Sequence, residues 1–301
     1  MRLVVTGRQG QLAQSLIERG RSADVEIACL ARPEIDLLEP DVVARAIETA
    51  RGDVVINAAA YTAVDRAESE PELAMRVNSE GARAVAAAAA MTGRPVVQIS
   101  TDYVFDGALE RPYREEDPVA PKNVYGRTKL AGEYSVAAAN SRHVIARAAW
   151  VYSPFGHNFL KTMLRLGLTR DEIGVVADQW GAPTSALDLA DALIGVARRL
   201  VAEPANGNLF GTFHLAGSEY ATWAGFAAAI FSQAAALGRA PVKAMPISTA
   251  QYPTPAARPA NSRLDAGKLH RVFGLVLPDW RGSTQDCVKR LLDSPPIRTE
   301  A

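Results

Sequence analysis

The chain opens with Arg2-Leu3-Val4-Val5-Thr6-Gly7-Arg8-Gln9-Gly10-Gln11-Leu12-Ala13, and this stretch decides the fold. An aliphatic run, a turn with two glycines and an amphipathic segment follow one another, which predicts strand, turn and helix. Gly7 would allow the tight turn, Gly10 would let the backbone approach a pyrophosphate, and Ala13 would let the helix pack closely on the strand. The pattern therefore predicts a dinucleotide site, to which Gln11 and Leu12 also belong.

The same alternation of strand and helix continues through the first half of the chain. The periodicity predicts strands at 2–6, 25–30, 53–57, 95–100 and 143–150. It predicts helices at 10–20, 40–50, 71–91 and 123–139. Such alternation is typical of an α/β fold with a doubly wound parallel sheet.

Beyond residue 150 the pattern becomes less regular. A helical stretch is expected at 155–167, a loop at 175–184 and a clear helix at 186–201. We therefore expect a smaller, discontinuous C-terminal substrate-binding domain beside the sheet domain. The expected division is 1–150 and about 185–216 for the sheet domain, about 151–184 and 217–294 for the second domain, and a frayed tail at 295–301.

Charge and composition exclude several classes of protein. The 33 basic and 33 acidic residues give zero formal charge, which argues against a broad nucleic-acid or anionic-membrane surface but permits a local phosphate site. There is no run of 18 apolar residues, and Met1 leads directly into the first strand, so a cytoplasmic protein without a membrane span or signal peptide is expected. Cys29, Cys287 and four scattered histidines predict free thiols and no metal site.

A second informative stretch is Asn123-Val124-Tyr125-Gly126-Arg127-Thr128-Lys129. Tyr125 and Lys129 lie four residues apart, so on a helix they share one face, and an ammonium close to a phenol lowers its pKa from about 10. Ketone reduction needs a hydride, a proton for the oxygen and a group that polarises the carbonyl. Tyr125 would supply the proton, and Thr101, at the end of a predicted strand, would bind the carbonyl. The alternatives are a surface pair for Tyr125 and Lys129 and a turn residue for Thr101.

Several motifs together resemble the extended short-chain dehydrogenase/reductase superfamily. These are Thr6-Gly7-x-x-Gly10, Asn57-Ala58-Ala59-Ala60, Ser100-Thr101-Asp102-Tyr103-Val104-Phe105-Asp106-Gly107, Pro112-Tyr113 and Tyr125-Gly126-x-x-Lys129. Three further motifs resemble the dTDP-4-dehydrorhamnose reductase family more narrowly, namely Thr62-Ala63-Val64-Asp65-x-Ala67-Glu68, Gln179-x-Gly181-x-Pro183-Thr184 and Arg258-Pro259-x-Asn261-Ser262. The similarity runs from residue 2 to about residue 290.

This resemblance implies a Rossmann-type fold and an NAD(P)H-dependent oxidoreductase. Family members deliver hydride to C4 of dTDP-4-dehydro-6-deoxy-L-mannose, giving dTDP-L-rhamnose, the final step of a pathway that serves cell-surface polysaccharides. Two alternatives stay open: reduction or epimerisation of another nucleotide-linked 4-ketosugar, and a nonenzymatic regulatory subunit that binds cofactor without turnover.

The cofactor preference depends on the end of the second predicted strand. NAD-binding sites of this kind usually place an acid there, whereas this chain has Arg32, which would accept a 2′-phosphate and favours NADPH over NADH. Arg32 is equally compatible with a plain surface role. The resemblance implies that Lys129 holds the nicotinamide ribose and that Asn78 supports Lys129. An Asn in a helix is alternatively a solvated or capping residue. It also adds to the cofactor site Leu30, Asp36, Leu37, Ala58, Ala59, Ala60, Tyr61 and Thr62.

A nucleotide-sugar needs cations for its diphosphate, an apolar slot for its base and polar groups for its sugar. Arg258 is the candidate for the diphosphate, assisted by Asn261 and Ser262. Trp150 would pack on the sugar or, alternatively, fill a domain junction. The remaining candidates are Asp102 and Tyr103 for the sugar hydroxyls and Gln179, Pro183 and Thr184 for the facing loop.

Some relatives form a Mg²⁺-bridged dimer through a glutamate of the first helix. The equivalent stretch here is Gln14-Ser15, so Mg²⁺ is not expected, and a homodimer is one possible oligomeric state.

Overall fold

The computed structural model describes residues 1–293, so the predicted frayed tail at 295–301 lies outside the described residues. The first half alternates strand and helix as predicted. Its elements are β1 (Arg2–Thr6), α1 (Gln11–Ser22), β2 (Glu26–Leu30), α2 (Pro40–Ala50), β3 (Val54–Asn57), α3 (Val64–Ala67), α4 (Pro71–Met75), a π-helical segment (Arg76–Gly81), α5 (Ala82–Met91), β4 (Val96–Thr101), a 3₁₀ turn (Asp102–Val104), α6 (Val124–Ala139) and β5 (His143–Ala148).

The second half has shorter strands. Its elements are β6 (Val151–Tyr152), α7 (Phe159–Leu166), β7 (Glu172–Val176), β8 (Trp180–Gly181), β9 (Thr184–Ser185), α8 (Ala186–Ala202), a 3₁₀ turn (Gly207–Leu209), β10 (Gly211–His214), β11 (Ala221–Thr222), α9 (Trp223–Ala236), β12 (Lys243–Ile247), a 3₁₀ turn (Thr249–Gln251), α10 (Gly267–Phe273) and α11 (Trp280–Asp293).

Six parallel strands form the central sheet, in the order β10-β5-β4-β3-β1-β2. Alternate residues of one strand face opposite sides: Leu3 and Val5 pack with α1, α8 and α10, whereas Val4 packs with α2, α5 and α6. Helices therefore cover both faces, as in a doubly wound sheet. The chain leaves β1 toward β2 on one side and returns to β3 on the other, which opens a crevice where ligands bind in such sheets.

Several predicted boundaries are wrong. The helix expected at 155–167 is α7, which begins at Phe159, and the loop expected at 175–184 contains the end of β7 and the strand β8. The strand predicted over 143–150 ends at Ala148, because Trp150 adopts a left-handed backbone with φ 46° and leaves the sheet. The helix predicted over 71–91 is divided by the π-helical segment into α4 and α5. The sixth strand, β10, has four residues and begins with a glycine, so its sequence carries little periodicity.

A separate apolar cluster lies in the second half of the chain. It is built mainly by α7, α9 and α11, and Leu160, Phe226, Ile230 and Val288 at its centre are fully buried. A core of its own supports the predicted second domain, whose boundaries stay a prediction. Within residues 1–293, no helix combines the length and apolar character needed to cross a membrane.

Candidate active site

The helix α6 brings its first turn against the end of β4. Asn123 caps this helix, since its Oδ1 accepts from Gly126 N at 2.7 Å, and its Nδ2 donates to Ala257 O at 2.8 Å. A Cβ on Gly126 would collide with the carbonyl oxygen of Tyr103. The glycine after Tyr125 therefore permits the close approach that places Tyr125 beside the strand end.

Tyr125 meets Thr101 at the carboxyl end of β4. Burial raises the pKa of the Tyr125 phenol far above its usual value, the charge of Asp102 raises it further, and an interaction with the Thr101 side chain lowers it in part. The Thr101 hydroxyl donates to Asp102 Oδ1 at 3.0 Å and accepts from Tyr103 N at 3.2 Å. The ring of Tyr103 meets that of Tyr125 edge-on, with centroids 5.7 Å apart.

Lys129 lies one turn further along α6 and is 4% exposed, which excludes a surface pair. Its Nζ donates to Ile99 O at 2.6 Å. Burial lowers the pKa of Lys129 to about 8, and the charge of Glu133 opposes that shift. The ammonium thus lies under the end of β4, close to the strand that carries Thr101. The lowered pKa that the spacing predicted for Tyr125 is not found, because burial and the charge of Asp102 raise that pKa.

A line of hydrogen bonds crosses the strand ends toward the same carbonyl. Thr6 Oγ1 donates to Asn57 Oδ1 at 2.5 Å, and Asn57 Nδ2 donates to Gln98 Oε1 at 2.7 Å. Gln98 Nε2 then donates to Ile99 O at 2.9 Å, the acceptor used by Lys129. These contacts hold the ends of β1, β3 and β4 together at the crevice.

The glycine turn fits a dinucleotide. Gly7 has φ 94°, which L side chains rarely adopt, and its N–H donates to Leu30 O at 2.7 Å. No side chain caps the N-terminus of α1, and the space beside Gly10 is open. Uncapped N–H groups at a helix N-terminus attract phosphate.

Arg32 lies at the end of β2 with 73% of its side chain exposed, and it pairs with Asp36 at 3.0 Å. A second arginine lies nearby: Arg8, from the glycine turn, donates to Cys29 O at 3.1 Å and to Glu34 at 3.2 Å. Sequence reasoning missed Arg8. Its position inside the glycine turn was the available signal, since that turn lies beside the end of the neighbouring strand.

Asn78 holds a loop of the predicted cofactor site. Its Oδ1 accepts from Tyr61 N at 2.8 Å, and its Nδ2 donates to Tyr61 O at 3.1 Å and to Thr128 Oγ1 at 3.0 Å. These bonds fasten the predicted cofactor loop 58–62 to α6. Asn78 therefore acts on that loop, and its hydrogen bonds do not go to Lys129.

The predicted diphosphate ligand, Arg258, pairs with Asp65. Arg258 Nη1 and Nη2 donate to the two carboxylate oxygens at 2.9 and 2.7 Å, and Nη1 also donates to Ala256 O at 2.9 Å. The pair joins α3, which contains Asp65, to the proline-rich loop 254–261. Nε and one Nη2 hydrogen are not used by these bonds, so the guanidinium keeps donors for an anion.

Other predicted substrate residues are held inside the protein. Asn261 donates to Leu109 O at 2.6 Å and to Arg111 O at 2.8 Å. Thr184 is fully buried and accepts from Gly217 N at 3.0 Å. Gln179 donates to Thr249 at 3.0 Å. These contacts shape the facing loops, of which Pro183 is also a part.

Trp150 stacks on Trp223, with ring centroids 3.5 Å apart and planes 10° from parallel. One ring face of Trp150 is thus taken by a residue that the sequence did not single out. Asp102, by contrast, is 3% exposed, and burial raises its pKa to about 6, while Ser262 and Thr101 oppose that shift. Asp102 and Ser262 therefore lie at the strand end that carries Thr101, and Trp150 follows the neighbouring strand β5.

No group of three or more His, Cys, Asp or Glu side chains in residues 1–293 is arranged to hold a metal ion. Cys29 and Cys287 are free thiols, the first half-buried and the second buried.

Comparison with known proteins supports one family over the whole described chain. The model of the RmlD substrate binding domain matches residues 1–293. A dTDP-4-dehydrorhamnose reductase of Sinorhizobium fredii is 52% identical over 292 residues, covering 97% of this chain and 98% of that protein.

Comparison with solved structures supports the same family. A dTDP-4-dehydrorhamnose reductase from Clostridium acetobutylicum gives a TM-score of 0.88 at 38% identity and covers 97% of this chain and 100% of that one. The enzyme of the same name from Bacillus anthracis, in complex with NADP, gives a TM-score of 0.88 at 36% identity, with 96% and 99% covered. The resemblance predicted from the motifs is confirmed, and the chain belongs to the dTDP-4-dehydrorhamnose reductase family.

Proposed function

We propose that this chain is an NADPH-dependent reductase that converts dTDP-4-dehydro-6-deoxy-L-mannose to dTDP-L-rhamnose. The observation that carries the proposal is the convergence of Tyr125, Lys129 and Thr101 at the carboxyl end of β4, beside the uncapped helix α1. A nonenzymatic subunit would need none of the three, and the family relatives bear the name of this reductase.

The cofactor fits the residues that are present. The turn at Gly7 and the uncapped start of α1, with Gln11, Leu12 and Ala13, would hold the pyrophosphate. Arg8 and Arg32 would take the 2′-phosphate, and Leu30, Asp36 and Leu37 would border the adenosine. The loop 58–62 would line the channel toward Lys129. NADPH, when bound, supplies the hydride.

Tyr125 acts as the acid for the ketone oxygen. Its raised pKa keeps the phenol protonated at neutral pH, so a proton is available when the reduced oxygen gains charge. The ammonium of Lys129, one turn away, stabilises the phenolate that remains. Thr101 would bind the substrate carbonyl once its hydroxyl turns from Asp102.

Substrate recognition is assigned to the loops above the sheet. Arg258 would offer its spare donors to the diphosphate while Asp65 holds its orientation. Asp102 and Tyr103 would contact the sugar, with Trp150 packed against it. Ser262 supports Asp102. The conformation of the loops is held by Asn261, Gln179, Pro183 and Thr184. We assign the loops that carry Gln179, Pro183, Thr184, Arg258, Asn261 and Ser262 to a second domain formed by about 151–184 and 217–294, whereas Asp102, Tyr103 and Trp150 belong to the sheet domain.

Turnover by the purified protein alone tests the proposal. The assay follows NADPH oxidation with dTDP-4-dehydro-6-deoxy-L-mannose and with a second dTDP-linked 4-ketosugar of different configuration. We expect oxidation with the first sugar and formation of dTDP-L-rhamnose. Preference for the second sugar would favour another ketosugar reductase, and cofactor binding without any oxidation would favour a regulatory subunit.

A further inference from the structure

A buried ion pair lies behind Lys129. Glu133 follows Lys129 by four residues on α6, and Arg147 lies on β5. Arg147 Nε donates to Glu133 Oε1 at 2.9 Å, and Nη2 donates to Oε2 at 2.6 Å. Ser100 Oγ donates to Oε1 at 2.5 Å. Because all three side chains are buried, Glu133 joins α6 to β4 and β5 inside the protein.

Stability alone is a weak explanation for this pair. Moving two ions out of water costs several kcal/mol for each, and a buried pair often adds little net stability. The guanidinium is also incompletely bonded, since Arg147 Nη1 has no hydrogen-bond partner within the described chain. Glu133 lies one helical turn from Lys129, and Ser100, which donates to Glu133, directly precedes Thr101, so the position of the pair suggests a role in the site.

We propose that Glu133 is a positioning residue for Lys129. Its negative charge keeps the Lys129 ammonium charged, and its bonds to Ser100 and Arg147 fix the distance between α6 and the end of β4. The inference rests on the proposed function, in which Lys129 has to be a cation beside Tyr125. The effect of the Glu133 charge on the pKa of Lys129 does not depend on substrate, so it is measurable without one.

The surroundings of Lys129 support this role. Burial lowers the pKa of Lys129, and Glu133 is the anion whose charge raises it. Arg147 is held by Glu133 itself. The other ionisable side chains of α6 are Tyr125 and the exposed Arg127 and Tyr134. Asp102 and Tyr103 follow β4, and Glu68 accepts from Val124 N at the start of the helix. From the π-helical segment, the neutral side chains of Asn78 and Ser79 contact α6.

The test is an NMR titration of the lysine side chains, labelled with ¹³C at Cε. Lys129 is one of six lysines, and a Lys129→Met variant assigns its resonance. In Glu133→Gln we expect the midpoint of the Lys129 titration to fall by about one pH unit or more, because a buried anion four residues away has been neutralised. Ser100→Ala removes a hydrogen bond from the same carboxylate without changing its charge, and it should leave the midpoint in place.

A double variant, Glu133→Gln with Arg147→Met, covers the case in which the single variant does not fold, because it leaves no uncompensated charge. Its Lys129 midpoint should also fall. An unchanged midpoint, or an equal fall in Ser100→Ala, would overturn the proposal. Failure of the double variant to fold would also overturn the proposal, because the ion pair would then be required for folding.

The pH profile of kcat gives a second readout. In Glu133→Gln the alkaline limb of this profile should shift to lower pH together with the Lys129 midpoint. The KM for NADPH at the pH optimum should change less than kcat. A fall of the midpoint with a fixed alkaline limb would show that Lys129 is not the cation on which turnover depends. An inactive wild-type protein would overturn the proposed function but would leave the titration valid.

Discussion

Tyr125 and Lys129 share one face of α6, and both reach β4, one at Thr101 and the other at the carbonyl of Ile99. The spacing predicted this arrangement because a helix fixes side-chain directions over four residues. What the spacing did not predict is the partner of each group, since Thr101 and Ile99 come from a strand more than twenty residues earlier.

Replacing Tyr125 by Phe should remove the proton donor and leave the fold and the cofactor site intact. We expect kcat to fall by roughly 10² to 10⁴. The measurement is turnover at saturating NADPH, with NADPH affinity as the control for the fold. A kcat within a few-fold of the wild type would show that another group is the acid.

Arg8 and Arg32 should decide the choice between NADPH and NADH. Because both guanidinium groups lie at the end of β2, the double change Arg8→Ala and Arg32→Ala should weaken NADPH roughly 10-fold to 100-fold and leave NADH nearly unchanged. Calorimetric titration of both cofactors measures this. Arg45→Ala, on an exposed position of α2, is the matched control, and equal weakening of NADPH and NADH would refute the assignment.

At the scale of elements, the approach of α6 to the end of β4 depends on Gly126. Gly126→Ala should destabilise the protein by about 1–3 kcal/mol, because the new methyl collides with a backbone carbonyl, and it should lower kcat by displacing Tyr125. Gly282→Ala in α11, where the added methyl meets open space, is the control. Urea unfolding that shows no difference between the two variants would contradict the packing argument.

The loop 254–261 is fastened to the sheet domain by Arg258 and Asp65. Arg258→Ala should weaken dTDP binding by about 10-fold or more in protein saturated with NADPH, because the cation for the diphosphate is lost. Asp65→Asn keeps the Arg258 cation and should therefore lose less affinity for dTDP than Arg258→Ala. The readout is calorimetric titration of dTDP.

Arg66→Ala breaks a neighbouring surface pair with Glu70 and serves as the control for the Arg258 series. Equal losses in Arg258→Ala and Asp65→Asn would mean that docking of the loop, and not the charge of Arg258, sets the affinity for dTDP.

At the scale of the whole molecule, the sheet brings together residues that are far apart in the sequence. The first five strands and the glycine turn were predictable, because period-two and period-3.6 patterns are local. The pair of Asp65 with Arg258 spans 193 residues, and no local pattern reveals it. The same holds for Trp150, whose alternative reading as a domain-junction residue gains support from its stack on Trp223.

The π-helical segment shows a second limit of the sequence. Most residues of the run from 71 to 91 are good helix formers, so propensity predicts one helix, although Asn78, Ser79 and Gly81 in its middle are weaker. Asn78 nevertheless points to the loop at Tyr61 and to Thr128, and the segment around it winds differently from α4 and α5. Tertiary contacts to the cofactor loop accompany this departure, and they are not visible in propensity.

The central claim is that hydride moves from NADPH to C4 of the dTDP-linked sugar. The most direct measurement uses NADPH with deuterium at both C4 positions of the nicotinamide, with the product analysed by NMR and mass spectrometry. We predict dTDP-L-rhamnose with one deuterium, located at C4 of the sugar. Product without deuterium at that carbon, or a C4 epimer of rhamnose, would contradict the account.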